Sequence, residues 1–73
     1  MDPQATWQRL LESYRHAHWE EAEQAATDLL DWLGAGGFPP QTQSALSMSD
    51  AWNRALTQAA CRLVLRQCGS EHH

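Results

Sequence analysis

His16, His18, Cys61 and Cys68 are the side chains of this chain whose types suit a soft metal. Zinc ligands come in close pairs such as C-x2-C or H-x3-H, because neighbouring donors must converge on one ion at about 2.0–2.3 Å. On a helix His16 and His18 point to opposite faces, and the two cysteines are two turns apart, so no metal site is expected. His18 reads instead as a partly buried side chain closing a helical hairpin, and His16 as a solvated one. Nucleophilic catalysis through Ser44, Ser47, Ser49 or Cys61 would need a base within hydrogen-bond reach and an oxyanion hole. The serines fit turns and caps better, and Glu20 with Glu23 fits a solvated helix face better than an acid–base pair. The glycine tract Gly34-Ala35-Gly36-Gly37 lacks the lysine and Ser/Thr of a phosphate-binding loop. The chain is therefore expected to be no enzyme and to need no cofactor.

Size and charge narrow the class further. A chain of 73 residues is one domain at most, and at that size folding buries only about 60% of the surface the unfolded chain exposes. Apolar residues make up 42% of it, with four tryptophans, enough to fold. The formal net charge is −4, and the cations are arginines alone, so clustered positive charge for nucleic acid or an anionic membrane surface is not expected. No apolar run approaches the roughly 20 residues needed to span a bilayer, and the N-terminus does not read as a signal peptide. A cytoplasmic protein is the expectation. Cys61 and Cys68 would sit about 10.5 Å apart along one helix, beyond the roughly 7 Å a disulfide tolerates, which suits a reducing compartment.

The elements that position these residues read as three helices. Asp2-Pro3 is a helix start, with Asp as N-cap and Pro at the first position. Trp7, Leu10, Leu11, Tyr14 and His18 then recur at helical spacing, predicting a helix over about 3–16. A second, over about 19–33, has the stripe Trp19, Ala22, Ala26, Leu29 and Leu33, widened by Ala25, Leu30 and Trp32, and an acidic outer face. Its end suggests Gly34 as the left-handed residue after the helix. Ser47 with Asp50, or Ser49 alone, caps a third and longest helix running to about Gln67 or Cys68. Its stripe is Trp52, Ala55, Leu56, Ala59 and Leu63, flanked by Ala60 and Val64. The predicted fold is an all-α three-helix bundle over residues 1–68, an antiparallel hairpin crossed by the long third helix. Trp7, Leu10, Tyr14, Ala22, Ala26, Leu29, Leu33, Trp52, Leu56, Ala59 and Leu63 are its expected core. Residues 69–73, Gly-Ser-Glu-His-His, read as a disordered, tag-like tail.

Two features lie outside that core. Cys61, Leu65 and Cys68 project almost opposite the Trp52–Leu63 stripe. They are either small surface residues or a contact face for a second chain. The tract GAGGFPP should turn the chain at Gly36-Gly37 and run extended through Phe38-Pro39-Pro40, with Phe38 buried against the hairpin. The alternative is a docking corner of Trp32, Phe38, Pro39 and Pro40.

Trp7, Leu10 and Tyr14, followed by Ala22, Ala26 and Leu29, resemble one tetratricopeptide-type hairpin, whose repeat opens W-x2-L-G-x2-Y; Leu11 stands at its glycine. Leu29-Leu30-Asp31-Trp32-Leu33 followed by Gly36-Gly37-Phe38-Pro39-Pro40 resembles a tract in small uncharacterised bacterial proteins, notably planctomycete ones. That resemblance implies a helical protein and no particular activity. The expected function is a noncatalytic protein-interaction or assembly domain with a protein partner, a homodimer through the third helix being one form. A small enzyme or metal- and redox-dependent protein, or a small-ligand sensor, are the competing classes.

Overall fold

The computed structural model describes residues 1–43 and 46–70. They form three helices, α1 (Pro3–Arg15), α2 (Trp19–Gly34) and α3 (Asp50–Ser70), with no strand among the described residues. α1 starts as Asp2 requires: its carboxylate accepts from the backbone N–H groups of Gln4 at 3.1 Å and Ala5 at 3.3 Å, satisfying donors that have no partner inside the helix. At α3, the Ser49 hydroxyl accepts from the Trp52 N–H at 3.2 Å, so Ser49 is the cap. The backbone of α3 continues through Gly69 and Ser70, past the predicted end. The rest of the expected tail, residues 71–73, lies outside the described residues.

Both hairpin turns end their helices with the same paired bonds. After α1, the His18 N–H reaches the Ser13 carbonyl at 2.8 Å and the Ala17 N–H the Tyr14 carbonyl at 3.2 Å. This closure places Ala17 at φ 58°, a conformation that crowds a Cβ against the carbonyl. After α2, Gly37 donates to Trp32 at 2.9 Å and Gly36 to Leu33 at 3.1 Å. Gly36 has φ 91°, so the left-handed residue is Gly36, two positions beyond the predicted Gly34, which is still helical. The expectation placed the end of α2 one turn-closing step too early.

α2 is the central helix, packed on α1 at one side and α3 at the other. Ala22, Ala25 and Ala26 are fully buried, and these small side chains let both neighbours approach closely. Trp7 and Leu10 from α1, Leu29 from α2, and Cys61, Val64 and Cys68 from α3 complete the core. α3 runs antiparallel to α2: Arg54 near its start donates to the carbonyls of Leu33 at 3.1 Å and Gly37 at 2.9 Å. Near its end the Cys68 thiol donates to the Trp19 carbonyl at 3.5 Å. Arg54 thus places a cation on the negative end of α2, where unpaired carbonyls and the helix dipole both favour it. The acidic side of α2 finds a cation elsewhere, in an exposed Arg9–Asp28 pair at 3.3 Å.

The connector after α2 is held to both flanking helices. Gln41 and Gln4 exchange bonds of 2.8 and 3.2 Å. Asn53, fully buried, accepts from the Thr42 N–H and hydroxyl and donates to Gln41 and to the Met48 carbonyl. Pro39 and Pro40 are buried. Where the connector meets α3 its backbone polar groups need partners, and Asn53 carries both the donor and the acceptor to supply them.

Candidate functional site

The demand for Asn53 inside decides how α3 is turned. Its buried residues are Asn53, Thr57, Cys61, Val64 and Cys68, a stripe at spacings of four, four, three and four. The expected core stripe therefore faces outward. Trp52 and Leu63 are each 48% exposed, Ala55 and Ala59 are exposed, and Leu56 is half-buried. At 3.6 residues per turn the two stripes are about 140° apart around the helix. This corrects the predicted core at Trp52, Leu56, Ala59 and Leu63. Tyr14 is corrected too: it sits at the surface, 36% exposed, with its ring edge-on to Trp19 at 5.6 Å.

The same rotation corrects the expected contact face. Cys61 and Cys68 lie inside the core and are not joined to each other by a disulfide, and Leu65 packs half-buried against it. None of the three offers an open surface to a second chain. Burial pushes the Cys61 thiol up to about 11, because a thiolate loses its hydration there. Its burial disfavours the thiolate, the form that acts as a nucleophile.

Trp52, Ala55, Leu56 and Ala59 line a shallow cleft of about 190 Å³ on the outer face, and Leu63 extends their row by one helical turn. Two other hollows are lined mainly by polar residues. One of about 600 Å³ lies between the start of α1 and the connector, with Gln4, Gln8, Gln41 and Gln43 around Trp7, Leu11 and Leu46. Another, of about 400 Å³, holds Glu12, His16, His18 and Glu21. There His16 pairs with Glu12 at 3.0 Å, while His18 is exposed and does not close the hairpin as expected. Ser13, buried, closes it instead, donating to the Arg9 carbonyl at 2.6 Å and to Glu21 at 3.3 Å. Among the described residues no three His, Cys, Asp or Glu side chains gather as a metal site, and no helix is long and apolar enough to cross a membrane.

The GAGGFPP corner is divided. Phe38 is 62% exposed, a correction to its expected burial. Its ring stands edge-on to Trp32 at 5.7 Å and 84°, and its carbonyl accepts from the Trp32 indole at 2.8 Å. The indole lies across Gly37, where any Cβ would overlap its ring. The structure brings Trp32 and Phe38 together at the surface and takes Pro39 and Pro40 into the interior. The buried row of α3 begins with two polar residues, Asn53 and Thr57, so periodicity alone ranks the more apolar Trp52–Leu63 stripe as the core.

No family model, curated protein or solved structure matches this chain.

Proposed function

We propose that this chain is a noncatalytic protein-interaction or assembly domain whose contact surface is the outer face of α3. One observation carries the reading: α3 turns Asn53 and Thr57 inward while leaving Trp52 and Leu63 half in water. Each such exposed side chain forgoes part of the roughly 1.5–3 kcal/mol its full burial would contribute. A contiguous apolar patch with tryptophan at one end is the composition of a protein contact. Two buried cysteines that form no disulfide with each other fit a cytoplasmic setting.

The test is a photo-crosslinking residue placed at Ala59 in the producing cell, with Thr27 on the exposed side of α2 as control. Adducts to protein are expected from position 59 and not from 27, and Leu63→Glu should remove them. Equal adducts from both positions, or none from 59, refute the reading. The exposure of Phe38 beside Trp32 supports a second contact at that corner. Adducts from position 38 with none from 59 would move the site there.

A further inference from the structure

We propose that α3 has two seats on the hairpin, and that the connector's grip on Asn53 decides which one it takes. Gripped, the helix holds its Trp52–Leu63 face outside; released, it rolls by about 140° and hides that face in the core. The proposal rests on the reading of that face as the contact surface and adds its regulation. The observed seat turns Asn53, Thr57, Cys61, Val64 and Cys68 inward, and two faults come with it. The Thr57 hydroxyl is buried without a partner, and Trp52 and Leu63 are each left 48% exposed. A roll removes both at once: Thr57 reaches water, and Trp52, Leu56, Ala59 and Leu63 turn inward as one helical stripe. Ala60, half-buried, lies between the two rows and stays at the boundary in either seat. Arg62 and Arg66 border the apolar stripe, and their long stems let the charge stay at the rim.

Against the roll stand bonds made near the start of the helix. Asn53 accepts from the Thr42 N–H at 3.2 Å and hydroxyl at 2.8 Å, and donates to the Gln41 side chain at 3.2 Å and the Met48 carbonyl at 3.1 Å. Arg54, the next residue, holds the carbonyls of Leu33 and Gly37. Farther along, the Cys68 thiol, a weak donor, adds its bond to the Trp19 carbonyl. Asn53 is the one of these that lies fully inside. Drawing Gln41 and Thr42 away from it strands its amide in the interior, where an unmade bond is costly, and the roll returns that amide to water. A partner on the outer face acts the other way, holding the open seat through its preference for it.

Reciprocal exposure reads the seat. Cys61 and Cys68 are closed and Trp52 is half open; a roll opens the thiols and shields the indole, whereas unfolding opens all three. Asn53→Asp in the full chain keeps the side-chain shape, sets carboxylate oxygens against the oxygens of Gln41 and Met48, and buries a charge. Gln41→Ala, at an exposed position, removes one of the bonds to Asn53 and leaves α3 unaltered. Thiol labelling with dithionitrobenzoate should speed up about 2- to 10-fold in Gln41→Ala, the population change one hydrogen bond commands, and further in Asn53→Asp. In Asn53→Asp the solvent isotope shift of fluorotryptophan at position 52, assigned through Trp52→Phe, should fall toward that of the buried Trp7, with helical circular dichroism retained. Thiols that stay closed in both variants overturn the proposal, as do thiols and Trp52 that open together. Photo-adducts from position 59 should weaken in Asn53→Asp, and adducts that persist undiminished overturn the regulation. A roll seen by both readouts in a chain that gives no adducts from position 59 removes the contact reading alone and leaves the two seats standing.

Discussion

Replacing Thr57 by valine should stabilise the monomer, and the effect measures how α3 is turned. Thr57 is fully buried, and its hydroxyl oxygen has no hydrogen-bond partner. Stranding a hydroxyl in the interior costs about 1–3 kcal/mol, and the methyl that takes its place adds some apolar burial. Valine has the same branched shape and a similar helix propensity, so the helix itself is little disturbed. A gain of about 1–2 kcal/mol is expected, and at about 4–8 °C per kcal/mol for a domain of this size the melting temperature should rise visibly. Thermal unfolding followed by circular dichroism, with urea titration at dilute concentration, reads the change free of self-association. Were α3 turned so that the Trp52–Leu63 row faced inward, Thr57 would be a surface residue and the substitution would fall within about 0.5 kcal/mol of neutral. A neutral result, or a loss of stability, refutes the placement of that hydroxyl and with it the orientation of the helix.

Three further substitutions and conditions probe other parts of the fold. Ala17→Gly removes a Cβ held at φ 58° and should add about 1 kcal/mol in urea unfolding, the usual cost of a left-handed alanine less the extra freedom of unfolded glycine; a decrease would show that the turn is not left-handed in solution. Gly37→Ala puts a methyl into the Trp32 ring and should cost about 1–3 kcal/mol as overpacking. The near-ultraviolet dichroism of that tryptophan should change with it, and an unchanged spectrum would contradict the indole's seat on Gly37. For Cys61 the thiol in the folded chain is raised from 9.0 to about 11 by burial, so the folded state holds the proton more tightly than the unfolded one. Its contribution to stability is full below about pH 9 and is lost as pH rises toward 11. Cys61→Ser should flatten that part of the pH–stability curve, and an identical slope in wild type and variant would refute the assignment.

Local chemistry along the chain was enough for the elements and for one of the two helix contacts. Asp2-Pro3 is read directly as a helix start, and the third start is narrowed to Ser47 with Asp50 or Ser49 alone, because a cap is satisfied by backbone groups two or three residues away. The contact of α1 with α2 was equally legible at Trp7, Leu10, Ala22, Ala26 and Leu29, since each of those helices offers one dominant apolar stripe. The loop after α2 was legible as a turn, but not which glycine takes the left-handed position: the closing bonds from Gly36 and Gly37 depend on how far the helix winds before the chain departs toward α3.

The candidate site was hidden for a related reason. Periodicity reports that α3 has two faces and ranks them by hydrophobicity; it does not report what each face meets. Asn53 is buried because the connector lies against it and needs both its donor and its acceptor, and Gln41, Thr42 and Met48 are brought there only when the chain folds back between α1 and α3. Once Asn53 is pinned, helical geometry takes Thr57, Cys61, Val64 and Cys68 inward with it and leaves Trp52, Leu56, Ala59 and Leu63 outside. By itself the sequence determined that three helices form and that the first two pair. The tertiary structure alone decided which side of the third faces water, because the polar groups of Gln41, Thr42 and Met48 in the folded connector meet Asn53 and turn it inward in place of the more apolar stripe.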